Sequence, residues 1–201
     1  MHIYRIEPMS DKFGMLELSS KAITEAYGDL GYEDLREAET NLADSWPECG
    51  AALYDYHSTN VRELHALPDI YTWNGCFLVL SERAKCDLED LLSPLGEFLP
   101  FTLDDHSYHL LSLHNVVNPK SDQTEELFEN GIPIGIKSLA FDLPDIGVPA
   151  AFKTGFDYFN HVYCTEQFKK RLMASDLDVG VTFVSEFPKS SASCKHPYFC
   201  V

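Results

Sequence analysis

Two carboxylates and three histidines crowd into residues 104–114: Asp104, Asp105, His106, His109 and His114. Carboxylate oxygens and imidazole nitrogens are the usual protein ligands of divalent metals, so this cluster could serve a small metal-dependent hydrolase. The spacing argues against one shared site. Side chains alternate along an extended strand, which sends His106 and His109 to opposite faces, and His109 and His114 likewise. A polar turn leading into a half-buried strand accounts for the same five residues, and neither a metal nor another cofactor is expected.

Other candidates are weaker still. Cys194, His196 and Cys200 supply three metal ligands where a structural zinc site takes four. His161 and Cys164 lie three apart in an expected strand and so face opposite ways, which does not suit a nucleophile and its base. No Gly-x-Ser-x-Gly elbow, phosphate-binding loop or His-Glu-x-x-His helix occurs, and Gly131 and Gly135 stand isolated. No catalytic residue is assigned. Tyr158, Phe159 and Tyr163, with Phe152 and Phe156, could line a pocket, but 13 Phe and 10 Tyr favour a large core whose rims carry polar tips.

Charge is the strongest compositional signal. The 201 residues hold 15 Lys and Arg against 32 Asp and Glu, a formal charge of −17, of which −12 falls in the first hundred. Such a surface repels phosphate backbones and anionic lipid, so nucleic acid and membrane are not expected partners. It suits a basic protein surface. The N-terminus lacks the basic start and apolar core of a secretory signal, and no run approaches a membrane span. Six cysteines without a Cys-x-x-Cys pair, several inside apolar runs, point to reduced thiols and a cytoplasmic protein.

The elements that would position these groups fall into a pattern that repeats. Cys76 to Leu80 is a buried-strand run, followed by Ser81 as helix N-cap and Glu82 in the first turn. Ala84, Leu88, Leu91 and Leu92 share one helical face, and Phe98-Leu99-Pro100-Phe101 starts a returning strand. A shift of 84 residues gives the strand 161–164, the cap Thr165, the acid Glu166, Lys169 and Leu172 on the helix, and the strand 180–184. Two strand–helix–strand units are therefore expected. Between them, 108–117 is expected to be a long strand, and Asp122 to cap a short helix with Glu125 as capping box and Gly131 as its stop. Segments 137–143 and 150–153 are expected as strands. Before the units, 20–41 has a helical pattern interrupted by Gly28 and Gly31.

These segments carry a resemblance. Leu67-Pro68-Asp69-Ile70, Phe77-Leu78-Val79-Leu80-Ser81-Glu82-Arg83-Ala84-Lys85 and Glu97-Phe98-Leu99-Pro100-Phe101 resemble motifs of a bacterial immunity-protein family found beside polymorphic-toxin and secretion-system effector genes. Ser107 to Asn118 is similar to a third motif, and His161 to Lys169 with Gly180-Val181-Thr182-Phe183 to a fourth. Asn118-Pro119 departs from the family's usual Leu-Asp. The resemblance implies a protein that binds a cognate toxin stoichiometrically and blocks it without catalysis.

The expected fold is α+β, or mixed α/β, with two strand–helix–strand units in a pseudo-repeat plus a variable N-terminal region. The expected divisions are residues 1–66 packed on the body, a body at 67–187 and a tail at 188–201. The expected partner is a cognate toxin or secreted effector with a basic surface, and the reading leaves room for a homodimer. Acidic candidates for the contact are Glu33, Asp34 and Glu37, then Asp104 and Asp105, then Glu125 and Glu126. The metal-dependent hydrolase built on 104–114 is the alternative.

Overall fold

The computed structural model of the protein describes residues 2–28, 34–36, 41–54, 67–141 and 149–185. It is a mixed α+β fold. The first half contributes β1 (Ile3–Pro8), α1 (Ser10–Phe13), β2 (Met15–Leu18), α2 (Ser20–Tyr27) and β3 (Gly50–Tyr54). The first repeat unit follows, with β4 (Ile70–Trp73), β5 (Phe77–Ser81), α3 (Glu82–Leu92), β6 (Gly96–Leu103) and β7 (His106–Leu113). Then come a hairpin of β8 (Glu125–Glu129) and β9 (Ile132–Ser138), and the second unit, β10 (Ala151–Phe152), β11 (Val162–Thr165), α4 (Glu166–Ala174) and β12 (Val181–Val184).

The two units match in register and in chemistry. Ser81 Oγ accepts from the Ala84 amide at 3.1 Å, and Thr165 Oγ1, 84 residues on, accepts from the Phe168 amide at 3.3 Å. Ala84 and Leu88 on α3, and Phe168 and Leu172 on α4, are all fully buried. Each cap satisfies an amide that the first turn would otherwise leave unpaired. Thr165→Ala is expected to cost about 1 kcal/mol, and Ser81→Ala nearer ~2 kcal/mol. Ser81 costs more because its hydroxyl also donates to Asp69 Oδ1 at 2.8 Å. Urea denaturation with an unchanged slope would measure both.

The sheets extend the match. One runs β2-β3-β6-β7-β5-β4 and the other β10-β11-β1-β12. In the first, β7 lies antiparallel between β5 and β6; in the second, β1 lies antiparallel between β11 and β12. The order β4-β5-β7-β6 therefore has the same plan as β10-β11-β1-β12, except that the middle strand of the second sheet comes from the start of the chain. Residues before 67 are thus woven into both sheets, β1 in one and β2–β3 in the other.

Apolar alternation places the cores. In β5, Leu78 and Leu80 face one way and Phe77 and Val79 the other, and all four are buried. The first face joins α3, α4 and the smaller sheet, including Ile6, Val162 and Cys164, in one core. The second face is covered by residues from the first half, among them Phe13, Leu16, Ile23, Leu35 and Leu42. The sheets meet where the Val179 carbonyl accepts from both the Asp69 and Ile70 amides, at 3.1 and 3.2 Å, and the Met9 amide donates to Gly180 at 2.8 Å.

Three expectations change. The short helix at 122–131 is instead the hairpin β8–β9, with Glu129 paired to Ile132 across Asn130-Gly131. Both turn residues have positive φ, 52° and 82°, the geometry that an Asn-Gly hairpin turn requires. The local capping signal at Asp122 and Glu125 lost to that turn. The long strand at 108–117 stops at Leu113, with Val116 making only a single bridge to Lys153. The strand expected at 137–143 falls earlier, at β9, and 142–148 lie outside the described residues. On 20–41, α2 ends at Gly28, whose φ of 71° suits its C-cap position, and Asp34–Arg36 form a 3-10 turn.

Candidate functional site

The loop from Thr154 to His161, between β10 and β11, is tied down by a dense set of hydrogen bonds. Thr154 Oγ1 accepts from the Phe156 amide at 3.3 Å, capping a 3-10 turn at Gly155–Asp157. Tyr158 and Phe159 then both adopt left-handed backbone, φ 56° and 58°. Neither residue type favours that region, and each costs of order 1–3 kcal/mol unless surrounding structure enforces it.

The enforcement is visible. The Phe159 amide donates to Thr154 O at 3.1 Å, and the Asn160 amide and Nδ2 donate to Asp157 O at 3.1 and 2.8 Å. The Arg36 guanidinium reaches Asn160 Oδ1 at 2.6 Å, while the fully buried Lys153 ammonium donates to Arg36 O at 2.8 Å and lies 5.7 Å from the Phe159 ring. Behind the loop is the β4–β5 turn, where a Cβ on Gly75 would stand 1.9 Å from Asn160 O. Only glycine fits there. Strain held in this way is typical of binding and catalytic loops.

Asp157 is the chemical centre of the loop. Its Oδ2 accepts from Tyr163 OH at 2.8 Å and pairs with His161 Nδ1 at 2.8 Å. Burial, and then the Asp157 charge, push the Tyr163 phenol far above its ordinary range, so it stays a donor. Asp157 is 7% exposed, and its Oδ1 is buried with no hydrogen-bond partner among the described residues.

This carboxylate borders a cleft of about 290 Å³. One wall is the β8–β9 hairpin, through Glu126 and Ile136; the other is the loop, through Phe156, Asp157, Tyr158 and His161. Arg5 of β1 also lines it and is ion-paired with Glu7. The two walls carry the largest exposed apolar groups of this region: Phe128 and Ile132 on the hairpin, 55% and 64% exposed, and Tyr158 on the loop, 71% exposed.

The residues singled out from sequence are dispersed. Glu33 and Glu37 lie outside the described residues, and Asp34 begins the 3-10 turn that delivers Arg36. Asp104 and Asp105 form the β6–β7 turn with φ of 49° and 63°, so their identity has a backbone reason; both are exposed. Glu125 is exposed and ion-paired with Lys137, whereas Glu126 lines the cleft. Of the candidates among the described residues, Glu126 alone joins the site.

The histidines at 106, 109 and 114 do not converge. His109 Nδ1 lies 3.6 Å from Glu82, where burial holds its pKa below the ordinary value, and His114 Nε2 lies 3.4 Å from Glu97 on another stretch of sheet. Among the described residues no group of three or more His, Cys, Asp or Glu side chains is assembled that could hold a metal. Cys49, Cys76 and Cys164 are buried free thiols, and Cys86 is an exposed one; Cys194, His196 and Cys200 lie outside the described residues. The aromatics divide: Phe152 and Tyr163 stack in the core against Phe141, while Phe156 and Tyr158 face the cleft.

Among the described residues no helix is long and apolar enough to cross a membrane. Comparison with known proteins finds no family model and no curated protein that matches this chain.

Proposed function

We propose that the protein is an immunity protein: it binds one cognate toxin one-to-one in the bacterial cytoplasm and blocks it without catalysis. The observation that carries this reading is the surface around the cleft. Tyr158 is exposed on the cleft's loop wall, and the hairpin that forms the other wall carries exposed Phe128 and Ile132 near its turn together with Glu125, Glu126 and Glu129, on a chain of charge −17. Exposed aromatic anchors next to carboxylates suit a partner that is basic and partly apolar. The overall charge speeds encounter with such a surface and discourages acidic competitors. The motif resemblance supports the same reading, since its positions form the scaffold. Strands β4 and β5 of the larger sheet are buried on both faces, between the two cores, which favours a scaffold that loses little entropy on binding.

The test is co-purification with the product of the gene beside its own. A one-to-one complex that abolishes that product's toxicity is expected, with association slowing as salt rises. Phe128→Ala and Glu126→Lys are each expected to weaken the complex at least ~10-fold, while Glu25→Lys on α2 leaves it within about twofold. A harmless neighbour, or a substrate turned over by the purified chain, would sink the reading.

A further inference from the structure

We infer that the cleft between the β8–β9 hairpin and the 155–161 loop is a receptor for a guanidinium group, an arginine side chain of the bound toxin. As a part of toxin recognition this rests on the function proposed above; the cleft's affinity for guanidinium does not.

Three observations converge. The first is the orphaned oxygen. Asp157 Oδ2 has two partners, Tyr163 OH and His161 Nδ1, each at 2.8 Å, but the buried Oδ1 has none among the described residues. A buried carboxylate oxygen without a donor is costly, and a ligand that brings N–H groups recovers that cost. The second is charge. Glu126 stands on the opposite wall, and Arg5, which also lines the cleft, is already ion-paired with Glu7. A second positive charge therefore meets two carboxylates against a neutralised arginine. The third is shape. About 290 Å³ stands at the lower end of the volumes of ligand pockets and is ample for the end of one side chain.

Arginine fits better than lysine. The Phe156 and Tyr158 rings border the cleft, and a planar, weakly hydrated guanidinium stacks on aromatic faces while its fork bonds carboxylate oxygens. The left-handed backbone at Tyr158 and Phe159 acquires a purpose here, because it presents the Tyr158 ring at the mouth of the cleft while Asp157 stays behind it.

The experiment titrates the isotope-labelled full chain with N-acetyl-arginine amide, following the His161 ring resonances. N-acetyl-citrulline amide, its uncharged isostere, is the control. A saturable shift at His161 is expected with a millimolar Kd, at least tenfold tighter than for citrulline. Asp157→Asn should abolish it. Because that variant also disturbs the Tyr163 and His161 bonds, Tyr158→Asn serves as a second test: its residue type tolerates left-handed backbone, and a loss of about fivefold is expected. No saturation at His161, equal affinity for citrulline, or arginine binding unchanged in both variants would overturn the proposal. Arginine binding in a chain that captures no toxin would leave the receptor standing and remove the immunity function.

Discussion

Gly180→Ala is expected to cost about 3–5 kcal/mol, enough to lower the melting temperature by roughly 6–20 °C in a chain of this size. Two effects add. Gly180 has φ +111°, which disfavours any L side chain. A Cβ there would also lie 2.2 Å from Ile70 O and 2.4 Å from Pro68 Cβ. Neither neighbour can move cheaply, because the Ile70 and Asp69 amides are bonded to Val179 O and the Met9 amide to Gly180 O. The methyl group would force apart the seam where the two sheets meet. Gly131→Ala is the control: its φ is +82°, but nothing lies within 4 Å of the added carbon, so only about 1 kcal/mol is expected. Thermal melts of both variants decide the matter, and equal losses would show that the seam is not closely packed.

Replacing Lys153 by Met should change how stability depends on pH. The ammonium is fully buried, and desolvation holds its pKa at about 8, against an ordinary 10.5; the Cys76 thiol works weakly in the other direction. Below about pH 8 folded and unfolded chains both carry the proton, so the cost of burying the charge is fully present. Between about 8 and 10.5 the unfolded chain keeps the proton that the folded chain has released. Stability contributed by this group therefore rises with pH, by up to about 3 kcal/mol. Cys49 and Cys76, pushed up to about 11, act in the opposite sense, so only the difference between the two proteins is informative. Lys153→Met is expected to be the more stable protein at pH 7, less the hydrogen bond to Arg36 O. Its advantage should shrink by about 2–3 kcal/mol by pH 10, read from urea denaturation at each pH. A constant difference would show that Lys153 is solvated.

The elements legible in the sequence were those whose signals are local. The caps Ser81 and Thr165, and the buried helix positions that follow them, fall at the expected spacing because caps and helical faces are set by neighbours within one or two turns. The hairpin at 125–138 was obscured by rival local signals, the capping box at Asp122 and Glu125 against Asn130-Gly131, and the turn dipeptide was the better guide. The insertion of β1 between β11 and β12 could not be read from any window, since alternation shows that a strand exists and not where it pairs. The cleft is equally remote from pattern. It joins positions 5, 126, 135, 136, 156–158, 160 and 161, and its central carboxylate stands among ordinary aromatic residues. Tyr158 and Phe159 gave no warning of left-handed backbone, which is imposed by contacts with Arg36 and Gly75 from distant segments.

The borrowed middle strand also sets an order of events during synthesis. Tyr4 on β1 meets Glu166 at the start of α4, a separation of 162 residues. At roughly 5–20 residues per second, β1 waits about 8–30 s after leaving the ribosome before β11 and β12 emerge to flank it. The first unit carries its own middle strand, β7, and can close its sheet in that interval. The smaller sheet is then the last to form and, with so long a loop to close, the slowest. Until it does, Ile6 and the inward face of α3 have no partner from the second unit, and the nascent chain depends on chaperones or on speed to keep that face from other proteins.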